Sequence, residues 1–443
     1  MFTFYLESLG CPKNQVDSEI MIASLEAIGI RQVPEPDPAD LIIVNTCGFI
    51  TPAKEESIEY CLGIKDKFPG KLLIMAGCLS QRYGSELPDQ LPEVDGFHFS
   101  REPEGITQLV GDLIAPRGFK ARDPQPVPAY PRRTKLLSYP RSVYIKIADG
   151  CDNMCSYCAI PLIKGNLASR PRGEIFQEIE AFLGRGIYEF NLVAQDLASY
   201  GADRGGSELP DLLREIGGLN GDFWLRLLYL HPDRFPMEIL GMMRKDPRLL
   251  PYFDIPLQHA SGSVLRAMGR KGSSDTYLEL VRRIRDSVPN AVIRSTFLVG
   301  FPGETESDFE SLMDFQSKAQ LDWLGIFVYS PEEGTPAFKM DGSVRRETAE
   351  ERRSCLERAQ IAITNRRLDR LVGESFPVLI EEPVLKEDYY LGRGYPHAPD
   401  VDGLVLLKGR GFKSGDLVPA RILKRNGFDL EAVSERDHGK MTG

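Results

Sequence analysis

The sequence lacks any long apolar run, and this absence argues against a membrane-spanning helix. Its most apolar stretches, such as residues 41–44 and 401–407, are far shorter than the roughly 18 residues that such a helix needs. The first seven residues also lack the basic start and the apolar stretch of a secretory signal. We therefore expect a cytoplasmic protein with no membrane partner.

A surplus of basic residues is missing as well. The 443 residues include 54 Lys and Arg against 64 Asp and Glu, which gives a formal net charge of −10. Because non-specific affinity for nucleic acid comes mainly from Lys and Arg on phosphates, we expect no stable nucleic-acid binding. The acidic balance suits a basic protein partner, and it equally suits a protein that is acidic for solubility alone.

The sequence does not have the low apolar content that is typical of disordered proteins, since 42% of its residues are hydrophobic. The length predicts two to four domains. Short apolar runs at residues 2–6, 41–44 and 72–75 alternate with amphipathic stretches, which is typical of parallel strands with crossover helices. This pattern predicts an N-terminal parallel α/β sheet domain over residues 2–116.

Residues 117–136 are predicted to form a proline-rich linker. Six prolines lie between residues 116 and 140, with Arg and Lys prominent and few apolar residues, which is typical of a stiff connector. Its positive charge could contact a substrate, but we interpret the segment as a solvated connector.

Two further domains follow the linker. Over residues 137–372, repeated β–α units predict a parallel (β/α)6 partial barrel, with strands at residues 143–147, 189–193, 224–229, 253–256, 292–299 and 323–329. Its last part, residues 346–370, reads as a charged helix. Over residues 373–440, short alternating runs with glycine punctuation predict a small antiparallel β-barrel, with strands at residues 376–381, 389–393, 404–407, 417–423 and 428–433.

Eight cysteines in a chain without a secretory signal are expected to remain free thiols. Three of them form the motif Cys151-Asp-Asn-Met-Cys155-Ser-Tyr-Cys158, on the loop after the first predicted barrel strand, where barrel active sites are built. Three thiolates can hold three irons of a cubane cluster and leave the fourth iron open to chelate S-adenosylmethionine. Zinc is one alternative, although it normally requires a fourth protein ligand, and three unrelated buried thiols are another.

Cys11, Cys47 and Cys78 are far apart in the sequence, but each follows a predicted strand of the N-terminal sheet. Parallel neighbouring strands bring their C-terminal ends to one edge, so the three thiols are expected to converge. Together they form a plausible second three-cysteine cluster site, whereas each one alone would be interpreted as a buried structural thiol. Cys61 and Cys355 fall inside predicted helices and are interpreted as structural.

The spacing of Cys151, Cys155 and Cys158, with Tyr157 before the last cysteine, resembles the radical S-adenosylmethionine (SAM) superfamily. The three-cysteine N-terminal domain and the C-terminal barrel, a TRAM domain, resemble its methylthiotransferase family over about residues 2–440. The motifs that resemble the RimO branch of this family are Ser8-Leu-Gly-Cys-Pro-Lys-Asn14, Val16-Asp-Ser-Glu19, Ile160-Pro-Leu-Ile-Lys-Gly165, Tyr329-Ser-Pro-Glu-Glu-Gly-Thr-Pro336 and Ala398-Pro-Asp-Val-Asp-Gly403. The sister branch, which acts on tRNA, usually has Gln-Met-Asn where this chain has Pro12-Lys13-Asn14.

The resemblance implies an enzyme that methylthiolates the β-carbon of an aspartate in ribosomal small-subunit protein twelve. It implies two [4Fe-4S] clusters, two molecules of SAM per turnover and a flavodoxin- or ferredoxin-like electron donor. The cluster of Cys151, Cys155 and Cys158 would generate the radical from SAM, and the cluster of Cys11, Cys47 and Cys78 would hold the sulfur. Both clusters must then face one cavity, with the N-terminal sheet edge closed over the barrel mouth.

Other residues just after predicted barrel strands are candidates for the mouth. Gln195 and Asp196 could hydrogen-bond the cofactor, and His259 is interpreted as polar pocket lining rather than an acid–base catalyst. His231, Gln258 and residues 300–304 are further candidates, although Pro302-Gly303-Glu304-Thr305 could be only a turn that caps the next helix. No catalytic residue is expected beyond the six cysteines.

Two other functions stay open. The first is the same chemistry on a tRNA adenosine, although residues 374–443 hold 10 basic and 12 acidic residues, a poor surface for tRNA. The second is a non-catalytic iron–sulfur or zinc module associated with RNA.

Overall fold

The computed structural model describes residues 2–99, 101–119, 130, 133–385 and 387–437, which fold as an N-terminal sheet domain, a central partial barrel and a C-terminal barrel. In the N-terminal domain, five parallel strands lie in the order β2-β1-β3-β4-β5. The strands are β1 (Thr3–Ser8), β2 (Arg31–Gln32), β3 (Leu41–Thr46), β4 (Leu72–Gly77) and β5 (Gly96–Phe99). The helices are α1 (Pro12–Ala27), α2 (Thr51–Lys67), α3 (Cys78–Tyr83), α4 (Leu87–Gln90) and α5 (Ile106–Ile114).

The apolar runs of this sheet explain its topology. Every residue of β3 and β4 is buried, because helices cover both faces of the parallel sheet. Leu41 and Ile43 pack on one face, and Ile42 and Val44 pack on the other. The predicted α/β domain is therefore confirmed, with each of the three predicted strands running two residues further toward its cysteine.

The central domain is an open parallel sheet of six strands in the order β13-β12-β11-β10-β9-β6. Its strands are β6 (Ser142–Lys146), β9 (Glu189–Val193), β10 (Trp224–Leu227), β11 (Leu249–Asp254), β12 (Val292–Val299) and β13 (Trp323–Val328), with a separate pair β7 (Ala148–Asp149) and β8 (Ala168–Ser169). Its helices are α6 (Ile160–Lys164), α7 (Arg172–Gly184), α8 (Leu209–Gly217), α9 (Ile239–Lys245), α10 (Gly262–Ala267), α11 (Ser274–Ser287), α12 (Glu306–Ala319) and α13 (Arg346–Asp369).

Alternate residues of these strands face opposite sides of the sheet. Val143 and Ile145 of β6 belong to the core that packs on the helices. Tyr144, Trp224 and Tyr252 belong to a separate core that the barrel shares with the C-terminal domain. The predicted partial barrel is confirmed, and its interior is filled by another domain.

The C-terminal domain is a closed five-stranded barrel in the order β14-β15-β16-β18-β17. Its strands are β14 (Ser375–Pro383), β15 (Tyr389–Arg393), β16 (Val405–Lys408), β17 (Leu417–Asn426) and β18 (Asp429–Ser434). The predicted small barrel is confirmed, but β16 and β18 pair in parallel, so it is not wholly antiparallel. The expectation of antiparallel pairing was wrong for β16 and β18. These strands are separated in sequence by β17, and β18 returns alongside β16 in the same direction.

Residues 393–402, which we call the floor segment, close the central barrel from its amino-terminal end. The backbone oxygen of Pro396 accepts a hydrogen bond of 2.9 Å from Trp323, the first residue of β13. Asp402 accepts one of 2.6 Å from the Tyr252 hydroxyl. The opposite, carboxyl-terminal end of the barrel therefore remains as its mouth.

The predicted linker, residues 117–136, lies largely outside the described residues. Where it is described, the interpretation as a solvated connector was wrong. The Arg133 side chain is fully buried and pairs with both Glu19 of α1 and Glu178 of α7. Tyr130 packs on the Arg170 guanidinium, 3.4 Å from ring centroid to the central carbon. The basic charge here joins two domains because burying it requires the two carboxylates.

Within the described residues, no helix has the length and the apolar composition needed to cross a membrane.

Candidate functional site

The first site is built by the carboxyl ends of β1, β3 and β4. Asn45 of β3 lies opposite Ser8 of β1, and Thr46 lies opposite Gly77 of β4. Cys47 and Cys78 each follow directly after those paired residues, and Cys11 comes three residues after Ser8. The parallel register therefore brings Cys11, Cys47 and Cys78, which we call the N-terminal trio, to one edge of the sheet.

The loops that carry the N-terminal trio approach each other closely. A Cβ atom at Gly48 would lie 2.7 Å from the backbone oxygen of Cys78, and one at Gly10 would lie 3.2 Å from the Cβ of Cys47. Real Cβ atoms do not make the first contact, so Gly48 is needed where the two loops touch.

Asn14 ties the same three loops together and was missed as a functional residue by sequence reasoning. Its buried amide donates hydrogen bonds to the backbone oxygens of Leu9, at 3.1 Å, and Thr46, at 3.0 Å. Its oxygen lies 3.4 Å from the Cys78 sulfur. Its place at the end of the motif Ser8-Leu-Gly-Cys-Pro-Lys-Asn14, three residues after Cys11, was the available signal.

The second site is the loop from Cys151 to Cys158, which we call the barrel trio after its three cysteines. It lies between β7 and α6, at the barrel mouth. The Cys151 N–H donates to Gly165, and Cys158 donates to Cys155 at 3.0 Å. The loop is also anchored to α10, because the Ser156 hydroxyl donates to Ala267 at 2.7 Å.

The N-terminal trio lies close to the segment that follows the barrel trio. Cys78 packs with Ala159 and Ile163, which directly follow the barrel trio, and with Phe49 of the N-terminal domain. Helix α3, which begins at Cys78, packs on helix α6. The sheet edge therefore closes over the barrel mouth at the point where both trios stand.

A buried charge network holds this contact. Asp17 of α1 pairs with Lys146 at the end of β6 and with Lys164 at the end of α6, the latter at 3.0 Å. Lys146 also pairs with Asp149 at 3.0 Å. Burial alone would raise the pKa of Asp149, but the two lysines outweigh burial and hold its pKa well below the usual range. These charges are balanced within the interface, as buried charges must be.

The predicted cofactor contacts lie beside the barrel trio. Asp196 accepts a hydrogen bond of 2.8 Å from Asn153 in the cysteine loop, and also accepts from Ala198, His231 and Ser199. Gln195 donates to Asp149 at 3.0 Å. The Gln195 side-chain oxygen is buried, and among the described residues it has no hydrogen-bond partner. Gln195 therefore offers a free acceptor at the mouth, whereas Asp196 supports the loop.

The other candidates at the mouth have structural roles. His259 is fully buried, and its Nδ1 accepts a hydrogen bond from the Ser261 N–H, whereas its Nε2 has no partner among the described residues, so its interpretation as pocket lining stays a prediction. His231 accepts from Asp233 and caps a short helix. Gln258 extends the sheet edge through backbone bonds to Thr296 and Leu298.

The segment 300–304 is a turn before α12. The Glu304 carboxylate accepts hydrogen bonds from the Gly300 and Phe301 N–H groups and pairs with Arg352. Thr305 caps α12 by accepting from Asp308. The prediction of a helix-capping turn is confirmed.

Cys61 and Cys355 stand apart from both trios. Cys61 is buried in the core under α2, and burial raises its pKa to about 12. Cys355 lies on α13, with its sulfur 3.1 Å from the Arg358 guanidinium.

Four thiols of the two trios, those of Cys47, Cys78, Cys151 and Cys158, are in environments that raise the pKa and favour the protonated form. Burial raises the pKa of Cys78 and of Cys158 to about 12, and that of Cys151 to about 11. Cys11 and Cys47 also raise the pKa of Cys78, because they lie near enough to repel its thiolate. A metal that binds here must replace these protons.

The two trios share one donor chemistry, with three free cysteine sulfurs in each. Among the described residues, no three His, Cys, Asp or Glu side chains converge on a point that a single metal ion could occupy. Two sets of three soft sulfur donors are therefore a donor chemistry that suits iron–sulfur clusters.

Comparison with known proteins gives three family matches along the chain. Residues 3–98 match Uncharacterized protein family UPF0004, residues 145–315 match the Radical SAM superfamily and residues 372–434 match the TRAM domain. Solved structures of TsrM, a radical SAM methyltransferase from Kitasatospora setae, share the fold. One of them, with cobalamin and a [4Fe-4S] cluster bound, aligns with a TM-score of 0.53 and 16% identity over 76% of this chain and 73% of its own. Another, with tryptophan and a SAM analogue bound, gives 0.52 and 15% over 73% and 72%.

Full-length relatives are much more similar. A protein of Treponema denticola called ribosomal protein uS12 methylthiotransferase RimO is 42% identical over 96% of this chain and 99% of its own length. Proteins with the same name from Carboxydothermus hydrogenoformans and Thermotoga maritima are also 42% identical, over 97% and 96% of this chain and 98% of each relative.

A cysteine loop at the mouth of a parallel partial barrel, together with the superfamily match, defines a radical SAM enzyme. It carries an additional N-terminal domain and a C-terminal TRAM domain. With 42% identity over nearly its whole length, the chain belongs to the RimO family of methylthiotransferases.

Proposed function

We propose that this enzyme methylthiolates the β-carbon of an aspartate in ribosomal protein uS12, with two [4Fe-4S] clusters and two molecules of SAM per turnover. The observation that supports the proposal is the packing of Cys78, a member of the N-terminal trio, against Ala159, the residue that follows Cys158 of the barrel trio. Cys11, Cys47 and Cys78 would hold one cluster, and Cys151, Cys155 and Cys158 would hold the SAM-binding cluster. When bound, cluster and SAM supply a radical able to remove a hydrogen from an unactivated carbon.

The residues around the trios bind, orient and shield. Asn153, held by Asp196, fixes the path of the barrel-trio loop, and the free oxygen of Gln195 would accept a hydrogen bond from SAM. Phe49 and Ile163 cover the contact between the two trios with apolar surface. Exclusion of water at this point protects reactive species from side reactions.

The choice of substrate rests on the relatives, which are named for uS12. It is supported by the C-terminal domain, whose floor segment is committed to the barrel. Arg393 is one of the 10 basic residues among residues 374–443. It is buried against Glu189 and Glu381 and cannot contact phosphate. An acidic protein is also suited to a basic protein partner.

A flavodoxin- or ferredoxin-like electron donor would approach from the solvent side of the barrel trio. Met154, between Cys151 and Cys155, has 71% of its surface exposed. The loop therefore reaches solvent at this residue.

The metal content tests the two-cluster assignment. Anaerobically reconstituted wild type is expected to hold about eight irons and eight sulfides, since each cubane has four of each. Alanine at Cys11, Cys47 and Cys78 together, or at Cys151, Cys155 and Cys158 together, is expected to halve both contents. The matched control replaces Cys61 and Cys355 by alanine and should retain the full content. Mostly zinc, or iron that neither triple variant reduces, would end the proposal.

The substrate is tested by mass spectrometry. The reconstituted enzyme with reductant, SAM and uS12 is expected to add one methylthio group to one aspartate. A methylthio group on tRNA adenosine instead of uS12 would assign the enzyme to the sister activity. No reductive cleavage of SAM by an enzyme with full iron content would leave only a non-catalytic metal module.

A further inference from the structure

Lys13 joins the N-terminal trio to the barrel mouth. It is the second residue of α1 and lies two residues after Cys11. Its Nζ atom is 3.9 Å from the centroid of the Tyr229 ring. Tyr229 follows β10 by two residues, at the same end of the barrel as the barrel trio. The ammonium group of a residue in one domain is thus held over an aromatic ring in the other, at the interface where the two trios meet.

Lys13 differs from Lys146, Lys164 and Arg294 because no salt bridge joins it to a carboxylate among the described residues, although Cys11, Asp149 and Asp254 lie near enough to stabilise its charge. Among the described residues, no hydrogen bond or salt bridge of Lys13 is found, and its side chain is half-buried. Lys146 and Lys164 are both paired with Asp17. Arg294 is paired with Asp254, at 3.2 Å. An ammonium group carries three donors, and in a partly dehydrated place they favour an anion as acceptor.

The nearby acids do not meet this need. Asp149 is held by Lys146 and Lys164, and Asp254 is held by Arg294 and by the Tyr229 N–H. Their charges are therefore largely balanced before a substrate enters. The Tyr229 ring limits where the ammonium can go, since a cation over an aromatic face is attracted to it. The result is a positioned positive charge with its donors free.

We propose that Lys13 binds the carboxylate of the substrate aspartate, an inference that rests on the proposed function. Through this contact Lys13 would select an acidic side chain at the site. The carboxylate carbon of aspartate is bonded directly to the β-carbon that is modified. Because the β-carbon is bonded to the carboxylate carbon, a contact that holds the carboxylate oxygens also fixes the position of the β-carbon. A binding contact of this kind orients the atom that reacts. Lys13 lies two residues after Cys11 and over a ring at the barrel mouth, which is where such a contact would act.

A double-mutant cycle on binding tests this role. The dissociation constants of uS12 and of its variant with the target aspartate replaced by asparagine are measured anaerobically, with reconstituted enzyme and SAM but without reductant, so that no turnover occurs. Wild type is expected to bind the aspartate form about tenfold to a hundredfold more tightly, as one charge-assisted contact provides. Lys13→Met is expected to remove this ratio, and Lys13→Arg is expected to keep most of it.

Lys245→Met serves as the matched control, since Lys245 is exposed at the end of α9 and should leave the ratio unchanged. Iron is quantified in every variant. A ratio that survives in Lys13→Met would overturn the role of Lys13. So would a loss of the ratio accompanied by a loss of iron, because Lys13 would then support the metal site instead. Modification of uS12 by wild type in either case would leave the proposed function intact, whereas failure of wild type to bind or modify uS12 would end both proposals.

Discussion

The Glu332 carboxylate, just beyond the last barrel strand, lies 2.7 Å from the guanidinium of Arg82 in the N-terminal domain. Arg82 is on α3, four residues after Cys78. Glu332 also pairs with Lys54 at 2.9 Å and accepts a hydrogen bond of 2.7 Å from the Thr51 N–H. One buried carboxylate therefore ties the first turn of α2 and the helix behind Cys78 to the barrel mouth.

Replacement of this carboxylate is expected to loosen the closure. Glu332 and Arg82 are 1% and 4% exposed, so Glu332→Gln leaves buried cations without their anion. The expected loss of unfolding free energy is about 3 kcal/mol. Backbone amides of residues 78–83 should exchange faster in a hydrogen-exchange experiment. The neighbouring variant Glu333→Gln is the control, because that side chain is exposed. Equal exchange in the two variants would contradict the role of Glu332.

The amide of Asn14 is expected to control loading of the N-terminal trio. Asn14→Ala removes three contacts that join the loops of Leu9, Thr46 and Cys78 and leaves their buried polar groups unpaired. We expect a loss of about 2–3 kcal/mol and a selective drop in iron at this trio. Iron and sulfide assays in a background that lacks the three barrel-trio cysteines measure this directly. Gln15→Ala, at the next position, should retain its iron, and equal loss in both variants would refute the assignment.

The close approach at Gly48 makes a second prediction for the same loops. Gly48→Ala places a methyl group against the Cys78 backbone, so the loops must separate and iron occupancy at the N-terminal trio should fall. Gly63→Ala is the control, since Gly63 lies in α2 and a Cβ there meets no atom within 4 Å. That control is expected to be neutral or more stable by about 0.5–1 kcal/mol. Full iron in Gly48→Ala would show that the loops need no such contact.

Acidic pH is expected to weaken the packing of the C-terminal domain on the central barrel. Burial alone would raise the pKa of Glu189, but Arg393 and Arg226 outweigh burial and lower it from 4.5 to about 2. A carboxylate whose pKa is lower in the folded than in the unfolded state stabilises the fold at pH values above its unfolded pKa. This stabilisation is lost as the pH falls from about 4.5 toward 2. This shift corresponds to about 3 kcal/mol.

Tryptophan fluorescence reports on this acid-sensitive contact. The chain has two tryptophans, Trp224 and Trp323, and both belong to the core shared by the barrel and the C-terminal domain. Urea titrations followed by their emission should show the loss of stability for wild type between pH 4.5 and 2. Glu189→Gln should be less stable at neutral pH and should show a smaller loss over this interval. Asp388→Asn, which removes an exposed ion pair with Arg410, should follow the wild-type curve. A wild-type curve with no slope here would disprove the proposed linkage.

Much of the fold could be predicted because its signals are local. The strands Glu189–Val193, Val292–Val299 and Tyr389–Arg393 match the predicted segments residue for residue, since apolar and β-branched runs between turn residues mark them. The convergence of Cys11, Cys47 and Cys78 also followed from local signals. Each cysteine comes soon after a strand, and parallel pairing does the rest.

The features that were missed depend on partners far away in the chain. Arg133 belongs to a segment of linker-like composition, and only the folded chain brings it to Glu19 and Glu178. Glu332 meets Arg82 across 250 positions. Sequence patterns describe an element and its own faces, whereas these contacts are properties of the assembled domains.

The floor segment has a consequence for how the chain is made. Arg393 meets Glu189 from 204 positions further along. A chain that leaves the ribosome from its amino terminus therefore exposes Glu189 and Arg226 in a hollow sheet until residues 393–402 have been translated. Residues 393–402 thus complete the interior of a domain that was translated before them, so a stop codon ahead of this segment would deprive the enzyme of a stable centre.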